Sequence, residues 1–453
     1  MIKRITGLLL SLIMCIGCLV PALAADGPVS SYSSAYLVAN AYTGDILFSQ
    51  NADIQYEPAS CTKILTALLV IEACEKGTLS MDKEVTVSHD AVWSIDRGSS
   101  HIALQEGEVV TIRQLMYGLL VASANDCAVA LAEAVSGTVV DFAALMNKRA
   151  AELGAKNTHF VNPHGLHDEG HLTTAEDLAL IMKACLQKQD FVKIQSSNYY
   201  AVGPTNKSKQ PHTFSSVYRM IKGGWYFDDR IVCGKSGYTK EAGNSLVNYA
   251  YADGMGLIIV TMHSSSEKNA YKDVEKLMDY TYKNYHVQKL TLPESVDMDT
   301  PIGKFTAAPV QRSYTVFTGS NGDISAQSET DGFVIVNKEV LAENLKSSAV
   351  MTTEQAEVKT GDVIGSLDFY SGQTKVASKT LMATSDCAVP EEITPQKSFL
   401  STVGGFLWGV VKGAFVVFFV LLVLVLCIRT YNINKRKKRR KARLEQMQKQ
   451  RRK

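Results

Sequence analysis

Pro58-Ala59-Ser60-Cys61-Thr62-Lys63-Ile64-Leu65-Thr66-Ala67-Leu68-Leu69-Val70-Ile71-Glu72-Ala73-Cys74-Glu75-Lys76-Gly77 is the stretch that decides how this chain is read. From Ser60 to about Glu75 it predicts one helix, with Gly77 just past its end. Ile64, Leu65, Ala67, Leu68, Leu69, Val70 and Ile71 leave almost no polar face, and a helix without one is buried. Ser60 and Lys63, three residues apart, share a side of that helix, with β-carbons about 5–6 Å apart. A serine hydroxyl is a poor nucleophile until a base takes its proton. A lysine amine serves as that base when burial and a neighbouring cation lower its pKa enough to leave neutral amine. The helix N-terminus adds backbone N–H groups and a positive dipole end beside a reacting carbonyl.

Ser-x-x-Lys alone is background, since Ser80–Lys83 and Ser265–Lys268 repeat it; only Ser60–Lys63 opens a buried helix. Ser-x-Asn likewise occurs at Ser49–Asn51, Ser123–Asn125 and Ser196–Asn198. Ser123-Ala124-Asn125 follows an apolar helix ending at Val121 and Ala122, and a new helix starts after Asp126. A hydroxyl and an amide at that junction are placed to bridge Lys63, relay a proton to a leaving amine and orient a peptide. Taken singly they are also ordinary cap residues. Lys235-Ser236-Gly237 stands at the start of the strand region that leads to Asn244–Tyr251. Its lysine and hydroxyl suit a substrate carboxylate, and Gly237 lets that substrate pair against a strand edge. Context and order, not any one pattern, single these residues out.

Outward from the motifs, Ala35–Asn40 and Ile46–Phe48 read as a hairpin around Thr43-Gly44-Asp45. Helical patterns recur at Ile112–Ala122, Ala128–Val135, Val139–Leu153 and Thr174–Leu186. Strands return at Asn244–Tyr251 and Leu257–Met262, joined by Asp253-Gly254, before a closing helix from about Lys268 to Tyr285. Strands at both ends with helices between predict an α/β (α+β) catalytic domain over 31–286: one antiparallel sheet with an inserted helical lobe. From 290 to 385, short β-rich runs such as Tyr314–Thr318, Gly332–Val336 and Asp362–Tyr370 predict a small all-β domain.

Both termini carry targeting signals. Lys3 and Arg4, an apolar run from Ile5 to Val20 and Ala22-Leu23-Ala24 predict a signal peptide over 1–24. A linker over 386–405 leads to an apolar segment over 406–428, whose one charge is Lys412. A helix of that length spans the roughly 30 Å of a bilayer's hydrocarbon, and Lys412 snorkels. The tail over 429–453 holds 13 Lys/Arg and one acid, Glu445, which places it in the cytoplasm as a single-pass topology signal. With those basic residues, Lys3, Arg4 and Lys412 set aside, 31 basic residues face 44 acidic ones, so the body is acidic and nucleic acid is excluded as its partner. Six cysteines remain outside signal and span (Cys61, Cys74, Cys127, Cys185, Cys233 and Cys387), without the spacing of a disulfide scaffold or a zinc site.

Ser-x-x-Lys, Ser-x-Asn and Lys-[Ser/Thr]-Gly in that order make the chain resemble the penicillin-binding proteins and class A β-lactamases. More closely it resembles the low-molecular-mass D-alanyl-D-alanine carboxypeptidases, of the β-lactamase/transpeptidase-like fold. Tyr42-Thr43-Gly44-Asp45-Ile46-Leu47, Pro58–Lys63, Arg97-Gly98-Ser99-Ser100, Asn162-Pro163-His164-Gly165-Leu166, His171-Leu172-Thr173-Thr174-Ala175, and Gly234–Thr239 with Ala242-Gly243 carry the likeness. The resemblance implies an extracytoplasmic serine peptidase acting on muropeptides ending in D-Ala-D-Ala. It also implies acylation by β-lactam antibiotics and no cofactor or metal. It gives Ser60, Lys63, Ser123 and Asn125 catalytic roles, and Lys235, Ser236, Gly237 and Tyr238 substrate-binding roles. The backbone N–H groups of Ser60 and Tyr238 form its oxyanion hole. Ser236 stands where threonine is usual, Cys61, Cys127 and Cys233 adjoin the motifs, and the anchor is a full span where many relatives use a surface helix.

Three rival activities share parts of this pattern. A β-lactamase needs a glutamate for its deacylating water, and Glu169-Gly170-His171-Leu172-Thr173 comes near that setting. A zinc peptidase could draw on His164, His167 and His171, but no HExxH occurs. A non-catalytic penicillin sensor would use Ser60 for acylation alone.

Overall fold

The computed structural model describes residues 32–388 except 301–302, 321–322, 331 and 353–356. The expected signal peptide, membrane span, basic tail and nearly all of the linker lie outside the described residues. Among the described residues, no single helix is long and apolar enough to cross a membrane.

Strand β1 (Ser33–Asn40) is buried along nearly its whole length. Its chain reverses where the Asn40 side chain accepts the Tyr42 N–H at 2.9 Å and Gly44 takes φ +84°, then returns as β2 (Ile46–Gln50). Three further strands, β3 (Ile231–Thr239), β4 (Gly243–Ala252) and β5 (Met255–Ser264), complete an antiparallel sheet of order β2-β1-β5-β4-β3. Ser33 pairs with Ser264 and Asn40 with Leu257, so the two ends of the segment close the sheet, as the sequence predicts.

Alternate residues of β1 face different cores. Ala35, Leu37 and Ala39 join the helical lobe, whereas Tyr36 and Val38 pack with Val274, Leu277 and Met278 of the closing helix Glu267–Asn284. A sheet covered on both faces reads as continuous apolar runs, which is why β5 (Met-Gly-Leu-Ile-Ile-Val-Thr-Met) shows no alternation.

The lobe contains α1 (Lys63–Glu75), α2 (Ile112–Val121), α3 (Asn125–Ser136), α4 (Val139–Glu152), α5 (Ala175–Cys185) and α6 (Gln189–Gln195); α7 is the closing helix. Thr111 and Gln114 form a capping box on α2, and Thr138 and Thr174 cap α4 and α5. α1 is the central helix: Lys63 to Ala73 are all buried, as its lack of a polar face predicts.

Three expectations need correction. Ser60 does not open the α-helix; it lies in a 3₁₀ turn, Ala59–Thr62, that feeds it. α3 begins at Asn125 rather than after Asp126. Lys235-Ser236-Gly237 lies inside a nine-residue edge strand, because the whole run from Ile231 pairs with β4.

The chain falls into two compact units, and Thr306–Thr353 and Gly361–Ala383 belong with the catalytic part in the first. There Tyr285–Lys289 pairs with Phe333–Asn337, Ser313–Ser320 with Asp323–Thr330, and Val363–Ser371 with both Leu345–Met351 and Thr374–Ala383. Tyr42 stacks on Tyr314 at 4.2 Å, and the Tyr249 hydroxyl donates to the Phe317 carbonyl at 3.1 Å. In the second unit Glu357–Val358 pairs with Cys387–Ala388.

Candidate active site

The turn that carries Ser60 is strained and heavily braced. Ala59 takes φ +47°, a left-handed conformation that alanine adopts at a cost. The Thr62 hydroxyl donates to the Ala59 carbonyl at 2.8 Å. His171 Nε2 lies 2.7 Å from that hydroxyl, and its Nδ1 accepts the Val161 N–H at 3.1 Å. The imidazole proton therefore sits on Nε2 and points at Thr62. Two glycines press on the same turn. A Cβ on Gly165 would stand 1.9 Å from the Ala59 carbonyl oxygen, and one on Gly237 would stand 2.6 Å from the Pro58 oxygen. The loop Asn162–Leu166 and strand β3 clamp the backbone of the Ser60 turn between them.

Lys63 is fully buried, with Nζ 2.7 Å from Ser60 Oγ and 2.7 Å from the His164 carbonyl oxygen. Burial first, and the nearby Lys235 second, push its pKa well below the usual lysine range. A neutral amine keeps one lone pair; with an N–H given to His164, that pair is available to the Ser60 hydroxyl proton.

Lys235, 1% exposed, donates to Ser123 Oγ at 2.9 Å and to the Ser236 carbonyl at 2.7 Å; burial lowers its pKa to about 8. Ser123 sits on a left-handed φ of +58° and takes its hydrogen bond from Lys235, where the sequence suggested a bridge to Lys63. Asn125 donates through Nδ2 to Ser99 Oγ at 2.8 Å, while its buried Oδ1 has no hydrogen-bond partner among the described residues. A buried amide oxygen without a donor is costly, and this one suits an N–H of an incoming peptide.

These groups surround a cleft of about 630 Å³ lined by Ser60, Ser123, Ser236, Gly237 and Tyr238, with Lys63 and Lys235 beneath. Five of the eight residues singled out in the sequence line this cleft; Lys63 and Lys235 reach it through Ser60 and Ser123, and Asn125 adjoins it through the carbonyl of Ser100, which lines it too. Arg219 and Tyr271 also line the cleft and were not legible. Arg219 gives its backbone N–H to the Tyr271 hydroxyl at 3.1 Å, and that phenol also meets the Ser236 side chain. Arg219 belongs to no periodic segment or motif, so the sequence held no signal for it.

The three histidines of the zinc reading part company. His164 Nδ1 accepts the Leu166 N–H, His167 pairs with Glu57 at the surface, and His171 serves Thr62. Among the described residues no group of three or more His, Cys, Asp or Glu is arranged to hold a metal. Cys61, Cys127 and Cys233 are buried and free, and burial raises the Cys61 thiol to about 12, so they pack as small apolar side chains.

A clamped serine beside a buried lysine whose pKa burial depresses, with a second lysine bonded to Ser123 and the buried Asn125 amide near by, can do acyl transfer. The family model described as D-alanyl-D-alanine carboxypeptidase matches residues 23–266. The chain belongs to this family. With it comes the class of serine hydrolases, and residues 308–388 match the C-terminal domain of penicillin-binding protein 5. The D-alanyl-D-alanine carboxypeptidase DacC of Escherichia coli is 30% identical over 354 residues, 77% of this chain and 82% of that protein. DacF of Bacillus subtilis is 36% identical over 248 residues, which cover 55% of this chain and 61% of the relative. The crystal structure of penicillin-binding protein 5 from Haemophilus influenzae superposes with a TM-score of 0.63 at 26% identity, covering 80% of this chain and all of that one. The carboxypeptidase family's catalytic and C-terminal β domains are both present, in that order.

Proposed function

We propose that this protein removes the terminal D-alanine from peptidoglycan stem peptides ending in D-Ala-D-Ala, through an acyl-enzyme on Ser60. The observation that carries the reading is the 2.7 Å contact between Ser60 Oγ and a fully buried Lys63 amine. Lys63 takes the hydroxyl proton as Oγ attacks the carbonyl of the penultimate D-alanine. The oxyanion turns toward the backbone N–H groups of Ser60 and Tyr238. The Asn125 Oδ1 receives a substrate N–H, and Lys235, Ser236 and Arg219 receive the terminal carboxylate. Collapse of the adduct breaks the peptide bond, the amine leaves with a proton, and water then releases the acyl group from Ser60.

β-Lactams acylate the same serine in this reading. Residues 1–24 direct export, 406–428 anchor the chain as a single span, and 429–453 remain in the cytoplasm, so that the catalytic domain faces the wall. The sequence features of both termini support that topology.

The test is release of D-alanine from a D-Ala-D-Ala peptide by the full chain in detergent, with Ser60→Ala as control. Release that disappears in the variant is the expected result. Penicillin labelling of Ser60 without release would leave a sensor, and rapid turnover of bound penicillin would favour a β-lactamase.

A further inference from the structure

Beside the catalytic cleft lies a second pocket of about 340 Å³, lined by Val92, Ile95, Arg97, His101, Leu104 and Asp126. One loop joins the two. Ser100 lines the catalytic cleft and its carbonyl accepts the Asn125 N–H, while Arg97 and His101 line the neighbouring pocket.

Arg97 is held but unspent. Its guanidinium stacks on Trp93, 3.9 Å from the ring centroid, and among the described residues no acceptor or carboxylate meets its N–H groups. Cation–π stacking fixes the plane of a guanidinium and leaves the N–H edge free for the bidentate grip that suits a carboxylate. His101 Nδ1 accepts the Ala103 N–H at 3.0 Å, so its proton sits on Nε2 as a second free donor. The one acid in the pocket is committed: Asp126 accepts the N–H groups of Ile102, Leu104 and Cys127 at 3.2, 3.1 and 2.8 Å. Those bonds also pin the loop, whose Ala103 is held at φ +60°. Val92, Ile95 and Leu104 supply an apolar wall.

A methylene chain ending in a carboxylate matches this combination. We infer that the pocket is a subsite for the side chain of the residue preceding D-Ala-D-Ala, and that it favours a diamino dicarboxylic acid there over lysine. The inference rests on the carboxypeptidase reading. Asn125 orients the acyl half of the substrate, and the loop bonded to Asn125 carries Arg97 to the same side.

The test compares three peptides that end in D-Ala-D-Ala, with the full chain in detergent. The preceding residue is diaminopimelic acid with a free distal carboxylate, the same residue amidated, or lysine. The free carboxylate should raise kcat/KM about tenfold over the amide, the order expected of one charge-assisted hydrogen bond. Arg97→Gln should remove that advantage and leave the lysine peptide unchanged, whereas Arg97→Lys should keep part of it. Equal rates on acid and amide, a preference that survives Arg97→Gln, or an equal fall on all three peptides would overturn the assignment. Should no peptide release D-alanine, the carboxypeptidase reading fails. The same peptides are then ranked by how well each shields Ser60 from fluorescent penicillin, and only Arg97-dependent ranking of acid over amide sustains the subsite.

Discussion

Replacing Gly165 by alanine tests whether the Asn162–Leu166 loop holds the nucleophile in place. The new Cβ would stand 1.9 Å from the Ala59 carbonyl oxygen, 2.4 Å from its carbon and 2.8 Å from Thr62 Oγ1, where ordinary contact begins at 3.4 Å. Loop and turn must therefore part by about 1.5 Å, and displacement of a catalytic group by about 1 Å costs on the order of a hundredfold in rate. Gly165 also has φ +85°, so alanine adds about 1–2 kcal/mol of backbone strain. Gly77 separates the two effects: it has φ +73° and nothing within 4 Å of its would-be Cβ. Gly77→Ala should lower the thermal midpoint by a few degrees, as about 1 kcal/mol does, and leave acylation alone. Gly165→Ala should lower the midpoint further and slow acylation of Ser60 by fluorescent penicillin about a hundredfold, followed by stopped flow. Acylation by Gly165→Ala within threefold of the parent would refute the clamp.

Two pH dependences follow from the buried bases. Burial lowers Lys235 to about 8, so the cation proposed to receive the terminal carboxylate is lost as pH rises through that value. kcat/KM should fall above about pH 8, and Lys235→Arg should move that limb to higher pH, since a guanidinium does not titrate there. Burial also lowers His164 and His171 to about 3, well below the unfolded value of about 6.5. Between those values the unfolded chain binds protons that the fold refuses, so stability should drop as pH falls from 6.5 toward 3, by up to about 1.4 kcal/mol per pH unit for each histidine. Urea midpoints read against pH check this; His171→Gln should flatten the slope, and a midpoint constant from pH 6.5 to 4.5 would contradict it.

The sequence was most legible where a residue's neighbours in the chain are also its neighbours in space. Ser60 and Lys63 meet across one turn, and the apolar run behind them announced a buried helix. The hairpin at Gly44 and the strands around Asp253-Gly254 were equally plain. Contacts that cross the fold were not. Nothing near Ser123 in the chain says that its hydroxyl takes a bond from Lys235 rather than Lys63, because β3 must first be laid along the edge of the sheet. The left-handed Ala59 escaped notice because alanine gives no local sign of it; the cause is Thr62 and Gly165 pressing on its carbonyl. Arg219 is brought to the cleft by the Tyr271 hydroxyl, from a helix some fifty residues later in the chain.

Ser33 pairs with Ser264, and Lys235 and Gly237 must arrive before the Ser60 turn has its second wall. Synthesis therefore produces the serine long before the structure that activates it. A chain interrupted before β5 lacks the strand that joins β1 to β4, and its α5, which packs on β1 and β5, loses most of the sheet that covers it. Pairings between such distant segments form slowly and leave apolar surface open in the meantime. Truncated or stalled chains should thus aggregate or be degraded rather than persist as partly active enzyme, and Ser60 should take no penicillin label in chains that end before residue 264.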